Sequence, residues 1–231
     1  MMWLWPLGAA LVSGAFAALV GRQWLDRRRP NLLAWAIALA MFAIASLAPA
    51  IGMLQGWTPA WFRIYYLFGA IVNVPVLGLG TIYLLGSRRL GHVCAVVVTV
   101  ASLFAAALVL QAHIDARLLS TDGIPEGREV MTAGVRALAR LYSFAGTVVV
   151  VGGALWSASR LVRQRRADAR RLAVANGLIA AGTLVVAVGS AFAVYGRGLP
   201  FAVGLFMGVS LMFWGFVKTR ARPPTPQAAS A

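Results

Sequence analysis

Residues 91–112 read GHVCAVVVTVASLFAAALVLQA, an apolar run without a single Asp, Glu, Lys or Arg. A helix rises about 1.5 Å per residue, so a run of this length matches a hydrocarbon core of about 30 Å. A surface helix of a soluble domain would interrupt such a run with a charged face. This stretch has none, and it reads as a membrane-crossing helix.

Working outward, six more runs of the same kind flank it. The expected spans are 3–21, 31–54, 61–85, 91–112, 136–159, 172–195 and 199–218. The breaks carry turn chemistry: Pro30 before Asn31, Gly56-Trp57-Thr58-Pro59, and Gly196-Arg197-Gly198 with Pro200. The expected fold class is all-α, a polytopic membrane protein built as a seven-transmembrane-helix bundle in one domain, 1–218. Composition agrees: 61% of the 231 residues are hydrophobic, 12% are charged and mean hydropathy is +0.81. Soluble domains carry about a quarter charged residues.

The formal charge of +15 would suit a nucleic-acid binder if it were gathered on one face. Instead the cations sit in short connections: Arg27-Arg28-Arg29, Arg88-Arg89, Arg160 to Arg171 and Lys218 to Arg222. Such clusters mark the cytoplasmic side and face anionic lipid headgroups, so the expected partner is the bilayer and not nucleic acid. The segments after spans 1, 3, 5 and 7 hold 15 of the 21 Lys and Arg, which predicts an N-terminus outside and a C-terminus in the cytoplasm. Trp3, Trp5, Trp57, Trp61 and Tyr195 then fall near the outer boundary, and Trp24 and Trp35 near the inner one. Residues 219–231 read as a disordered cytoplasmic tail. The first span lacks a positive charge before its apolar core, so it reads as a retained helix and not a cleaved signal. Arg- and Ala-rich usage points to a bacterial inner membrane.

Several chemistries are excluded. A retinal Schiff base needs a lysine deep in a span, and the only lysine, Lys218, ends the last one. The only two histidines, His92 and His113, lie at opposite ends of the fourth span, about 30 Å apart, too far to share a haem. One cysteine, Cys94, rules out an internal disulfide and a cysteine metal cluster. All six acids lie outside the spans, against paired-aspartate hydrolysis and proton coupling through a buried carboxylate. No cofactor, metal or catalytic set is expected.

Polar side chains inside spans carry what functional signal there is. Asn176, Thr183, Ser190 and Arg197 recur every seven residues in the sixth span, on one face. Arg136, Arg140, Ser143, Thr147 and Ala154 share a face of the fifth. Tyr66, Gly69, Asn73 and Gly80 share one in the third, with Pro75 expected to bend that helix. Small residues line the seventh span at Gly204, Gly208 and Gly215, and the first at Ala10, Gly14, Ala17 and Gly21. Packing accounts for many of these positions, because small residues let helix backbones approach. The functional expectation is a non-enzymatic protein that binds or facilitates passage of a small polar or anionic solute through an outward-facing cavity between helices 3, 5, 6 and 7. Its candidate ligand-binding residues are Arg136, Arg140, Asn73, Asn176, Tyr66 and Arg197, beneath a loop (113–135) whose acids Asp115, Asp122, Glu126 and Glu129 form a lid. The alternative is an accessory or sensory subunit that docks to another membrane protein through Gly-rich helix faces and the basic segment Arg160–Arg171.

The third span carries Leu67-Phe68-Gly69 and the seventh Leu205-Phe206-Met207-Gly208 at similar depth, and the first and fifth both end in basic segments. A 3+1+3 order of parallel repeats would give this pattern. It is similar in topology, though in no motif, to small sugar-transporter bundles.

Overall fold

The computed structural model describes residues 1–119, 123–163, 167–194 and 197–220. Among them the elements are helices and short connections, with no strand. Seven helices are long and apolar enough to cross a membrane. They are α1 (Leu4–Arg27), α2 (Pro30–Gln55), α3 (Pro59–Leu85), α4 (Arg88–Gln111), α5 (Ala133–Arg163), α6 (Ala167–Val194) and α7 (Gly198–Arg220). Thr121, Asp122, Arg165, Arg166, Tyr195, Gly196 and the expected tail from Ala221 onward, Arg222 included, lie outside the described residues.

Local chemistry explains the boundaries. Arg28 takes a left-handed conformation (φ 51°) and returns its N–H to Trp24 O at 2.7 Å, ending α1. Pro30 then opens α2, where its missing N–H would have had no partner in any case. Thr58 Oγ1 accepts the Trp61 N–H at 3.2 Å to start α3, and Ser87 Oγ accepts the Leu90 N–H at 3.2 Å to start α4. The helices outrun the expected spans where basic residues follow: α1 continues to Arg27, α5 to Arg163, and α7 to Arg220, past the tail boundary expected at 219. Hydropathy marks where hydrocarbon ends, and arginine, a good helix former, lets the helix go on.

Neighbours in contact run α1–α2–α3–α5–α6–α7 and back to α1, so six helices close a ring. α4 stands outside it, packed against α3 with slighter contact to α5. Its outer face shows Val93, Val96, Val97, Val100, Leu103 and Phe104, all exposed, as befits a helix surrounded by lipid. The ring has two distinguishable ends. The arginine-rich end carries the connections after α1, α3 and α5, and the loop end carries residues 113–132.

α3 is not uniform along its length. Tyr65–Val72 winds as a π-helix between α-helical Pro59–Ile64 and Asn73–Leu85. Pro75 supplies the cause, since it has no N–H to return to the preceding turn. Ser143 of α5 takes up the slack, its Oγ donating to Ala70 O at 2.7 Å. Three residues on, Gly146 sets its backbone directly against Pro75. A Cβ at Gly146 would lie 2.6 Å from the Val74 carbonyl carbon and 2.8 Å from the Pro75 nitrogen.

The closest seam is α6 against α7, and glycine makes it. A Cβ at Gly182 would lie 2.5 Å from Gly208 O, one at Gly204 3.0 Å from Gly189 Cα, and one at Gly215 2.7 Å from Ala175 O. The glycine face of the seventh helix, expected as a docking surface for a partner, is therefore occupied by α6 of the same chain. Of the small-residue face on α1, Ala10 is buried inside the protein and Gly14 has nothing near its Cβ direction.

Candidate functional site

The loop end is filled from within. Ile114, Leu119, Val130 and Met131 of the loop are buried against Phe62, Tyr66, Ile71 and Val72 of α3, Val109 of α4 and Val135 of α5. The Trp57 indole Nε1–H donates to Gly123 O at 2.7 Å, fastening the loop to the turn before α3. The Tyr66 ring lies beneath Gly127, where a Cβ would stand 2.7 Å from it. Around this core the arginines hold backbone. Arg63 donates to Val109 O at 3.3 Å and Ala112 O at 3.0 Å, the open carbonyls at the end of α4, where the helix dipole also favours a cation. Arg136 donates to Arg128 O, and Arg128 pairs with Glu126 at 3.4 Å. The loop expected to be an acidic lid over an open cavity is thus an apolar plug, with Asp115 and Glu129 exposed and Glu126 half-buried. Its apolar residues are scattered without a period, so they leave no pattern to read in the sequence.

At the arginine-rich end the ring is hollow. A cavity of about 80 Å³ lies on its axis, walled by all six ring helices. Phe16 and Val20 come from α1, Trp35 and Leu39 from α2, Leu77 and Thr81 from α3. Val150, Gly153, Ala154 and Ser157 come from α5, Asn176 and Ile179 from α6, Met212 and Phe216 from α7. Leu84 and Leu85, also in the wall, are 49% and 44% exposed, so the cavity reaches the surface beside the end of α3. Two glycines make the wall possible. Gly80 takes the Trp35 indole against it and Gly153 takes the Thr81 methyl, each where a Cβ would overlap its neighbour. Trp35 thus lines the cavity and is half-buried.

The cavity wall is apolar except at one corner. Asn176 Nδ2 donates to Ser157 Oγ at 3.2 Å and to Leu172 O at 3.1 Å. That leaves the Asn176 Oδ1 as an acceptor and the Ser157 and Thr81 hydroxyls as donors without partners among the described residues. The sixth span's other hydroxyls are satisfied on their own helix: Thr183 on Ile179 O at 2.9 Å and Ser190 on Val186 O at 2.8 Å. Among the described residues no three His, Cys, Asp or Glu side chains gather where they could hold a metal ion.

The six expected binding residues are therefore not one site. Tyr66, Arg136 and Arg140 come together at the loop end, the two arginines within electrostatic reach of the phenol. Arg140 is exposed, and so is Arg197, at the separate turn between α6 and α7. Asn73 is buried on α3. By helical spacing it shares the face of Leu77 and Thr81, one turn beyond the cavity. Asn176 alone lines the cavity. Sequence reasoning missed Ser157, although a signal existed. Ser143, Gly146, Val150, Gly153 and Ser157 follow spacings of 3, 4, 3 and 4, the face α5 turns to α3 and the cavity.

The chain matches no family model, no curated protein and no solved structure.

Proposed function

We propose that this integral membrane protein is non-enzymatic and binds a slender, largely apolar or amphiphilic molecule in the cavity at the arginine-rich end. The observation that carries this reading is a hollow walled by six helices with one polar corner, Thr81, Ser157 and Asn176. Size selects the ligand class. About 80 Å³ accommodates a short piece of hydrocarbon with one hydrogen-bonding group. Sites for whole drug-sized molecules run to roughly 300–1,000 Å³. The chemistry accordingly moves from the polar or anionic solute expected from the sequence to an apolar one, and from helices 3, 5, 6 and 7 at the outer end to the full ring at the other. The charge asymmetry supports an orientation with that end in the cytoplasm of a bacterial cell. The plugged loop end supports binding over passage, since transport would require the loop to leave its apolar seat. The order α1–α2–α3 followed by α5–α6–α7 around the ring is compatible with two parallel repeats joined by α4.

The test is native mass spectrometry of the purified chain in mild detergent, wild type beside Ala154→Phe and Asn176→Leu. The reading expects a small apolar molecule retained by the wild type, lost when the larger ring of Ala154→Phe fills the cavity and weakened when the amide is removed. If Ala154→Phe raises the melting temperature and the wild type retains nothing but bulk lipid, the cavity is a packing void and the reading fails.

A further inference from the structure

Beyond that cavity, on the opposite side of α6, Arg170, Arg171, Val174 and Lys218 border an open surface pocket of about 280 Å³ at the arginine-rich end. At about 100° per residue, Val174 and Asn176 point some 200° apart, so the pocket faces lipid while the cavity faces the ring axis. The glycine seam explains why three cations converge there. Gly215 brings α7 against Ala175 of α6, the same level at which Arg171, Val174 and Lys218 sit. Backbones held that close leave a groove between the two helices with its cationic head at the membrane boundary. Lys218 lies over the exposed Trp214 indole, its ammonium 4.8 Å from the ring centre. An indole with a polar rim is the side chain that settles at headgroup level, which puts the ammonium there too. Val174, well exposed, adds an apolar side chain to the pocket beside the cations. In the sequence from residue 160 onward, Asp168 is the single acid.

We propose that the arginine-rich end of the α6–α7 seam is a binding site for the phosphate of an anionic phospholipid, held by Arg170, Arg171 and Lys218 with an acyl chain along Val174. Guanidinium groups suit phosphate because they donate in a planar fork, and lysine adds a compact charge. The site is independent of the cavity ligand, and no residue is shared between them.

The experiment equilibrates the purified full chain with equal amounts of phosphatidylcholine and phosphatidylglycerol and reads retained lipid by native mass spectrometry. One phosphatidylglycerol per chain is expected in preference to phosphatidylcholine. Arg170→Gln should lower its occupancy about fivefold, and Arg170→Gln with Lys218→Gln about thirtyfold. Arg170→Lys should restore most of the single loss. Arg27→Gln with Arg29→Gln, which removes the same charge from the same end elsewhere, should leave occupancy unchanged. Equal loss in that control would mean diffuse attraction to the headgroups and overturn the site, as would equal retention of the two lipids. Displacement of the lipid by inorganic phosphate at millimolar concentration would assign the pocket to a soluble phosphate instead and overturn the lipid assignment.

Discussion

Arginine does opposite work at the two ends of the ring. At the loop end Arg63 and Arg136 are turned onto main-chain carbonyls, and the space beneath them is packed with Phe62, Leu119, Val130 and Met131. At the other end Arg22, Arg27, Arg28 and Arg29 stand exposed around a hollow. Two arginines at the loop end are tied to main-chain carbonyls, whereas Arg22, Arg27 and Arg29 at the other end are exposed. A cluster of arginines in a membrane sequence therefore says where the boundary is, and only its backbone partners say whether it also holds the fold together. The boundary between the packed half and the hollow half is the crossing of Gly146 on Pro75, since the cavity begins at the next turn of each helix, with Leu77 and Val150.

The contrast can be broken hardest at that crossing. Gly146→Val has no room beside the Val74 carbonyl and should cost about 3 kcal/mol, lowering the melting temperature in detergent. Gly152→Val, on the same helix with nothing near its Cβ direction, should stay within about 0.5 kcal/mol. Equal tolerance of both would mean that α3 and α5 do not meet as described. Next comes Arg63→Leu, which strips the end of α4 of a charged donor and should cost about 2 kcal/mol. Its counterpart Arg27→Leu should be close to neutral, and a matching loss there would erase the difference between the ends. Trp57→Phe keeps the ring contacts of the turn but loses the bond to Gly123 O. About 1 kcal/mol is expected, with faster proteolysis within 113–132 as the specific sign that the plug has loosened. Smallest is Ser143→Ala, about 0.6 kcal/mol, read best as faster amide exchange around the π-helical turn.

The sequence made the helices legible because hydrocarbon thickness imposes one requirement on every span, and a run such as 91–112 satisfies it in plain sight. Pro75 and Gly56 likewise announced where the chain would distort or turn. The site was legible only in pieces. Periodicity tells which residues of one helix share a side, as with Asn176 and Thr183, but not which neighbour that side meets. Thr183 turned out to satisfy itself on Ile179 O, while Asn176 met Ser157 across a helix boundary. The loop was read by its acids because charges are conspicuous. Ile114, Leu119, Val130 and Met131, which decide its position, look unremarkable among the other apolar residues of the chain.

The contact of α1 with α7 also has a bearing on how the molecule is made. Phe16 packs on Phe213 and Phe216, ring centres 5.3 and 4.9 Å apart, and Trp5 meets Phe206 edge-on at 5.7 Å. α1 enters the membrane before the other helices of the ring and α7 after them, so these aromatic pairs wait until all seven spans have been synthesised. Until then Phe16 and Val20 face lipid or a temporary companion, and α1–α3 form an open arc. Contacts between distant parts of a chain form late because the intervening segment must be ordered first. Closure of the ring therefore follows the insertion of α7, and damage to α7 should strand a partly assembled arc for the cell's quality control to find.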